Sequence, residues 1–501
     1  MGIPTTRALF ASAWLVAVSP LACAVDQSLH DAPELWSGIP SAGEAAAAPD
    51  GAADVEVSGI KELGPKPSPD QPVPGDLWER MRAGFAMPDL TGPLVLERQR
   101  WYAQRSEQLR VVFERSRPYL YYIVGELERR GLPAELALLP MVESAYNPLA
   151  YSRAHASGLW QFIPSTGRNY KLDQNWWYDA RRDIVASTNA ALDYLQSLHD
   201  QFGDWHLALA AYNWGENGVQ RAIDRNRARG LATDYRSLPM PRETRRYVPS
   251  FQALKNIVAN PAAYGLVLDP IPNAPYFVTV ALTRDIDLRV AARLAEMPID
   301  ELVALNPGHN RPVVATEVSP QLVLPADRAE AFVRNLELHD DEPLSSWQTY
   351  TFKAGDKLDR LAAQHGVSVA RLKAVNGIRA NANPVAGQQL LLPQKGTAAA
   401  SEPLPPVFSP PASAAGRVAS YVVKPGDDWA RIAKAFGVKI EDLRRWNQDA
   451  KLAAGEHLVI QIPPKTRAAK KHAKPKARDT AKSVPARASP QTALAREFAV
   501  S

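Results

Sequence analysis

The sequence predicts a multidomain chain: a mainly α block over residues 77–265, then small α+β modules of strand–helix–helix–strand order. Three observations lead there. Apolar positions recur at helical spacing through residues 77–260, where no convincing alternating strand occurs. Beyond residue 270, two segments repeat one another. Proline, 43 residues in all, clusters between these blocks, as linkers require. At 501 residues the chain is also too long for one ordinary domain.

Residues 1–24 read as an export signal. Arg7 precedes an apolar run from Ala8 to Val18, followed by small residues. That run is too short for a membrane span. Two cleavage readings stay open. Ala22-Cys23-Ala24 fits the small-x-small rule of ordinary signal peptidase, whereas Leu21-Ala22-Cys23 looks like a bacterial lipoprotein box with an unusual Pro20 at its outer position. Cys23 is therefore either a small residue of a discarded signal or a lipidation site. It is the only cysteine, which excludes an intrachain disulfide. Residues 25–76 are rich in Ala, Pro, Gly and Asp without periodicity, and read as a flexible tether.

Residues 94–130 read as one or two long amphipathic helices carrying Trp101, Tyr102, Phe113, Tyr119, Tyr121 and Tyr122. Pro133 opens the next helix, as first-turn prolines do. Leu136, Leu139 and Val142 share a face of it, and Glu143 sits near its end. Asp183 caps a further helix whose stripe is Ile184, Ser187, Ala191, Leu195 and Leu198.

The repeated modules cover residues 348–394 and 419–464, joined by a linker over 395–418. Gly355-Asp356 returns 71 residues later as Gly426-Asp427, and Ala362/Ala433, Val367/Val438, Leu372/Leu443 and Asn376/Asn447 keep that offset. Gly387 pairs with Gly455 after a three-residue deletion. The strands are expected at Tyr350–Phe352 and Leu390–Leu392, and at Tyr421–Val423 and Leu458–Ile460. A fainter copy over 271–335 aligns Leu288, Leu302 and Asn306 with Leu358, Leu372 and Asn376. It lacks the Gly-Asp turn and reads as a structural spacer. The formal net charge is +5. Residues 464–501 hold ten Lys/Arg against Asp479 and Glu497, so that segment is +8 and the remainder −3. The tail, 465–501, has a disordered composition. The basic balance belongs to it, and nucleic-acid binding by the folded body is not indicated.

Chemistry centres on Glu143, one carboxylic acid with no partner acid beside it. Cleaving a glycosidic bond needs a proton on the departing oxygen and stabilisation of an oxocarbenium-like centre. A helix C-terminus and the apolar neighbours Met141, Val142 and Trp160 both disfavour the carboxylate, which keeps the acid protonated near neutral pH. Taken alone, Glu143 reads rather as a surface glutamate ending a helix, the usual place of that residue. Asp173, Asp179 and Asp183 lack the ligand ladder of a calcium loop and read as helix caps. The histidines show no zinc pairing. Trp176-Trp177-Tyr178 suits either sugar stacking or packing under a loop.

The context decides the reading of Glu143. Glu143-Ser144, Ser152, Gly158-Leu159-Trp160-Gln161, Ala211-Tyr212-Asn213 and Glu243-Thr244 with Tyr247 occur in order over about 110 residues. With these motifs the block resembles the family-one lytic transglycosylases of the lysozyme-like superfamily, in their membrane-bound lytic murein transglycosylase D form. Trp160 departs from the methionine common in the wider family, and in that respect is similar to the D type. The duplicated modules resemble LysM domains, which bind N-acetylglucosamine-containing glycans.

The resemblance implies Glu143 as the single acid/base. Ser152 would orient the N-acetyl group or Glu143, and Gln161 would bond the sugar. Tyr212 and Asn213 would line the cleft, with Tyr247 near the N-acetyl group of the reacting muramic acid. Tyr212 as core, Asn213 as a helix cap and Tyr247 as a packing aromatic remain open. The reading is therefore a peptidoglycan lytic transglycosylase, exported to a Gram-negative envelope. It has no implied cofactor, glycan strands as partner, and membrane contact only through a lipid on Cys23. The rivals are a muramidase that lets water attack and a non-catalytic glycan-binding protein.

Overall fold

The computed structural model describes residues 59–61, 75–339 apart from Arg153, 342–395, 397, 402–407, 417–445, 447 and 452–462. The expected export signal, Cys23 and the basic tail lie outside them. In the α block the helices are α1 (Leu77–Ala83), α2 (Pro93–Ala103), α3 (Ser106–Arg129), α4 (Leu139–Ser144), α5 (Pro164–Asn169), α6 (Ile184–Phe202), α7 (Trp205–Trp214), α8 (Glu216–Arg227) and α9 (Arg242–Ala259). The 94–130 pattern thus resolves into two helices. The helix expected from Pro133 divides: a 3-10 turn over Ala134–Leu138 precedes α4. Pro140 explains the break. It has no N–H for a continuing helix, but it is tolerated in the first turn of a new one.

One apolar core unites these helices, with Trp78, Leu109, Leu120, Ile123, Leu195, Ala211 and Phe251 all fully buried. Packing of such faces, rather than local propensity, supplies most of the helices' stability. Helix α9 packs against α2, α4 and α7, and so joins the two helices, α4 and α7, that carry Glu143 and Tyr212. Pro249 inside it removes the N–H that would bond the Arg245 carbonyl. The Tyr235 hydroxyl donates to that carbonyl instead (3.0 Å). Buried Glu135 accepts from the Ala86 and Met87 backbone N–H groups and from Lys255 of α9 (3.1 Å), pinning the 84–90 segment.

Beyond α9 come three modules of one design. The first has β2 (Phe277–Ala281), β3 (Ile286–Asp287), α10 (Leu288–Leu294), α11 (Ile299–Leu305), β4 (Val313–Val314), β5 (Gln321–Pro325) and α12 (Ala326–Leu338). The second has β6 (Trp347–Thr351), α13 (Leu358–Gln364), α14 (Val369–Val375) and β7 (Gln389–Pro393). The third has β8 (Arg417–Val422), α15 (Trp429–Phe436), α16 (Ile440–Arg445) and β9 (His457–Ile462). In each the outer strands pair antiparallel: β2 with β5, β6 with β7, β8 with β9.

The repeated asparagine explains why these small units hold. Asn306, Asn376 and Asn447 each donate Nδ2 to the carbonyl four residues back and to a closing-strand carbonyl, at Val323, Leu391 and Val459 respectively. Each also accepts the backbone N–H of that same strand residue. One side chain thereby ties the second helix to the sheet in all three copies. The Gly-Asp turn does a second job in the later two. Asp356 accepts from the Tyr350 hydroxyl and the Lys353 N–H, and Asp427 from Tyr421 and Lys424. The first copy, lacking that turn, adds α12 and an extra edge strand. That strand is β1 (Ile60–Lys61), paired with Val280 and Thr279 of β2, within the stretch expected to be tether.

The first module is fastened to the α block through the 175–182 loop. Asp179 N–H donates to Gly308 O (2.9 Å), Asn310 N–H to Trp177 O (2.8 Å), and Arg182 Nε to Pro307 O (2.8 Å). Gly308 leaves room for the Tyr178 ring, which a Cβ there would meet at 2.6 Å.

Candidate active site

Glu143 is the penultimate residue of α4. The helix stops at once, because Ala145 and Tyr146 both take left-handed backbone angles, φ 50° and 54°. Such angles cost energy in residues with a Cβ. They persist because Tyr146 is fully buried, stacks on Tyr119 at 6.1 Å and donates its hydroxyl to Ala137 O (2.6 Å). Ser144 donates to Pro140 O (3.1 Å) and Leu159 O (2.9 Å). The helix end is thereby tied to the Gly158–Gln161 segment.

Tyr247, in the second turn of α9, is fully buried and donates its hydroxyl to Glu143 Oε1. Burial pushes the Glu143 carboxyl up to about 7. The Tyr247 hydrogen bond works against that rise, and the like charge of Glu243, one helical turn before Tyr247, adds to it. Burial also lifts the Tyr247 hydroxyl well above its ordinary range, so it remains a donor at neutral pH. A partly buried acid poised near neutrality is what proton transfer to a leaving group requires.

The second wall comes from α7. Half-buried Tyr212 donates to Trp160 O (2.8 Å), and its ring lies against Phe162 and Tyr194. Asn213 accepts the Thr244 hydroxyl (2.9 Å), joining α7 to the first turn of α9. Neither is only what the bland alternatives allowed: Tyr212 is not sealed in the core, and helix α7 is closed by Gly215 rather than Asn213.

The third wall is the 150–162 loop. Gln161 has φ 49° and donates its amide to Gly158 O (2.8 Å) and Ala150 O (3.3 Å), leaving Oε1 as its acceptor. Gly158 (φ 84°) is required outright, since a Cβ there would lie 2.0 Å from the Arg181 carbonyl oxygen. Ser152 is buried on the same loop. Its hydroxyl oxygen accepts from the Ala156 N–H (3.0 Å), closing the 152–156 turn. The structure thus brings Glu143, Tyr247, Tyr212, Asn213 and Gln161 around one region and places Ser152 in the frame of the loop.

Sequence reasoning missed what braces that loop. Buried Arg181 donates to His155 O (2.5 Å) and Phe162 O (3.0 Å) and pairs with Asp179 (2.7 Å). Arg182 pairs with the same carboxylate (3.0 Å). Burial opposes ionisation of Asp179, but the two guanidinium groups hold its carboxyl below the usual range. Asp183 caps α6 as expected, through Ala186 N–H, whereas Asp179 is an ion-pair partner and not a cap. Only the Asp-x-Arg-Arg order hinted at this, and such runs are common on solvated surfaces. Among the described residues no group of three or more His, Cys, Asp and Glu is arranged to hold a metal ion.

Comparison with known proteins gives a consistent picture. The family model of the transglycosylase SLT domain matches residues 121–234. That of the lytic transglycosylase MltD LysM-like domain matches 276–341, and the LysM domain matches 350–393 and 421–461. The membrane-bound lytic murein transglycosylase D of Escherichia coli K12 is 37% identical over 407 residues, covering 77% of this chain and 86% of that one. The chain belongs to the membrane-bound lytic murein transglycosylase D family. A putative tributyltin chloride resistance protein of Alteromonas sp. strain M-1 is 52% identical over 120 residues, 23% of this chain and 58% of that one. This D-type chain is therefore a lytic transglycosylase that acts on peptidoglycan. The mainly α block with small antiparallel LysM modules is the expected fold class.

Proposed function

We propose that the protein cleaves the β-1,4 bond between N-acetylmuramic acid and N-acetylglucosamine without water, leaving 1,6-anhydro-muramic ends, with Glu143 as the sole acid/base. The observation that carries this is the pairing of one carboxyl near pKa 7 with the Tyr247 hydroxyl on Oε1. With Oε1 occupied, Oε2 holds the proton. It passes to the departing N-acetylglucosamine oxygen as the glycosidic bond breaks. The substrate's own acetamido oxygen bonds to the anomeric carbon, taking the place of an enzymic nucleophile. Glu143, now a carboxylate, removes the proton from the 6-hydroxyl, whose oxygen displaces the acetamido oxygen and closes the ring. The acid is restored and no water is consumed.

Gln161 Oε1, Asn213 and Tyr212 bind the sugars beside the reacting bond, and Ser152 keeps the loop that presents Gln161 in shape. Buried Tyr247 aligns Glu143 and stands next to the acetamido group. The two LysM modules hold glycan, and tethering weak binders raises avidity through effective concentration. The chain works in the periplasm, held to the outer membrane by a lipid on Cys23. In support, relatives carry the words membrane-bound in their names, and no helix among the described residues is long and apolar enough to cross a membrane.

Mass spectrometry of digested sacculi tests the chemistry. Anhydro-muramic ends are expected. Reducing muramic ends would make the enzyme a muramidase, and intact sacculi would leave only glycan binding.

A further inference from the structure

We infer that the two LysM modules do different work: the first is a fixed gauge that sets where along a glycan strand the enzyme cuts, and the second is a separately mounted grip. This rests on the glycan binding proposed above. The first LysM module, β6 to β7, is fastened to the rest of the protein in four ways. Its entry segment is stapled: Asp287, at the end of β3, accepts from the Ser345 hydroxyl (3.1 Å), the Ser346 N–H (3.0 Å) and the Ser346 hydroxyl, and its own N–H donates to Leu344 O (3.0 Å).

Its apolar side is shared. Trp347, Val375 and Leu391 form one buried cluster with Val313 of the preceding module, and Trp176 and Trp177 of the α block pack on it. Third, the Arg311 guanidinium lies 4.4 Å from the Trp176 ring centroid, and a Cβ on Gly377 would meet its Nη1 at 3.1 Å. Arg311 Nε and Trp176 Nε1 are buried without hydrogen-bond partners, so flat stacking, not polar pairing, carries this contact. Finally, the chain leaving the module folds back across the junction. Arg289 Nε donates to Pro403 O (2.8 Å), Arg371 donates to Glu402 O, and Leu404 packs on the shared cluster.

Each LysM module has a core of its own, around Leu372 and Leu390 in the first and around Leu443 and Leu458 in the second, but among the described residues of the second none belongs to the shared cluster. At the positions of Trp347 and Gly377 its sequence has Val418 and Gln448. Neither the indole that fills the seam nor the glycine that admits a guanidinium is repeated. Equal copies in sequence pattern are therefore unequal in mounting. Glycan on the first module lies at a set distance from Glu143. Glycan on the second is coupled to the catalytic site through tethering, which sets an effective concentration rather than a fixed distance.

The test uses the full-length protein and two variants outside the catalytic site, Arg311→Lys and Leu404→Asp. The first keeps the charge but loses the planar face, and the second peels the returning segment from outside any module core. Long uncrosslinked glycan strands are digested briefly, and the lengths of the anhydro-ended products are read by mass spectrometry. Proteolysis of residues 402–407 reports the state of the seam. Wild type is expected to give a preferred product length. Both variants should broaden that distribution by about twofold or more, become cleavable at 402–407, and turn over short soluble fragments at an unchanged rate. Unchanged lengths with an opened seam would overturn the gauge, and a seam still protected in both variants would overturn the fastening. Absence of anhydro ends in the wild type would instead remove the transglycosylase reading itself. Sacculus binding that survives deletion of residues 342–462 would remove the glycan-binding one. Either result takes the gauge with it.

Discussion

Tyr247 and Glu143 lie 104 residues apart in sequence and are joined by one hydrogen bond, from the phenol to Oε1. That bond favours the carboxylate and so lowers the Glu143 pKa, whereas the Glu243 charge raises it. Two substitutions should therefore move the same titration in opposite directions. The proton donor must be protonated, so kcat/KM falls as pH rises through the pKa, about 7 in the wild type. In Tyr247→Phe this limb should move to higher pH, with activity reduced and thermal stability little changed. In Glu243→Gln it should move to lower pH. A pH series of initial rates on soluble glycan decides. Limbs that stay in place in both variants would show that neither group acts on Glu143.

Glu143→Gln should abolish cleavage, losing roughly two to four orders of magnitude or more of rate, with glycan binding retained. It should also change stability with a defined sign. The folded pKa lies above the unfolded one, so the folded wild type loses stability as pH rises from about 4.5 to about 7. Glutamine does not titrate. The variant should match the wild type near pH 4 and exceed it by about 1–3 kcal/mol above pH 7. Urea unfolding at the two pH values measures the difference, and equal offsets at both would contradict the burial cost.

Gly158→Ala should be severe. The added carbon meets the Arg181 carbonyl oxygen at 2.0 Å and the backbone is left-handed. Destabilisation of about 3 kcal/mol or more is expected from strain and displacement of the braced loop. A melting temperature near that of the wild type would show that the loop yields easily.

Asn376→Ala removes two donated bonds and one accepted bond and leaves the buried Leu391 N–H unpaired. The module has a small core, so a cost of about 2–4 kcal/mol should open it locally. Amide exchange should accelerate in β7 while β2 and β5, held by Asn306, stay protected. Acceleration in both sheets alike would mean the modules unfold together.

Cys23→Ala separates the two maturation readings. A lipidated wild type labels with palmitate and fractionates with membranes, and the variant does neither. Each buried methylene contributes about 0.8 kcal/mol of membrane affinity. A wild type found entirely in the soluble periplasmic fraction would leave cleavage after Ala24.

Much of this was legible in the chain because it is local. Helical spacing, the Asp183 cap and the module repeats depend on neighbours a few residues away. Asn306, Asn376 and Asn447 stand out because three copies of one pattern compare themselves. Glu143 was legible through its motif, not its surroundings: the glutamate alone reads as a surface residue, and its raised pKa depends on burial that no local pattern encodes.

The sequence by itself determined the order of the SLT and LysM domains and singled out Glu143 and the residues proposed to accompany it. The tertiary structure decided how those residues meet. Tyr247 reaches Glu143 only because α9 packs across α4, and Gln161 is presented only because Arg181 braces the loop beneath it. It also decided that two LysM copies of one sequence pattern differ, since Trp347 of the first packs in a cluster with Trp176 while the second has Val418 at that position. The physical reason is common to all three. Hydrogen bonds, ion pairs and stacking act over a few ångströms in space, whereas the sequence records only separation along the chain.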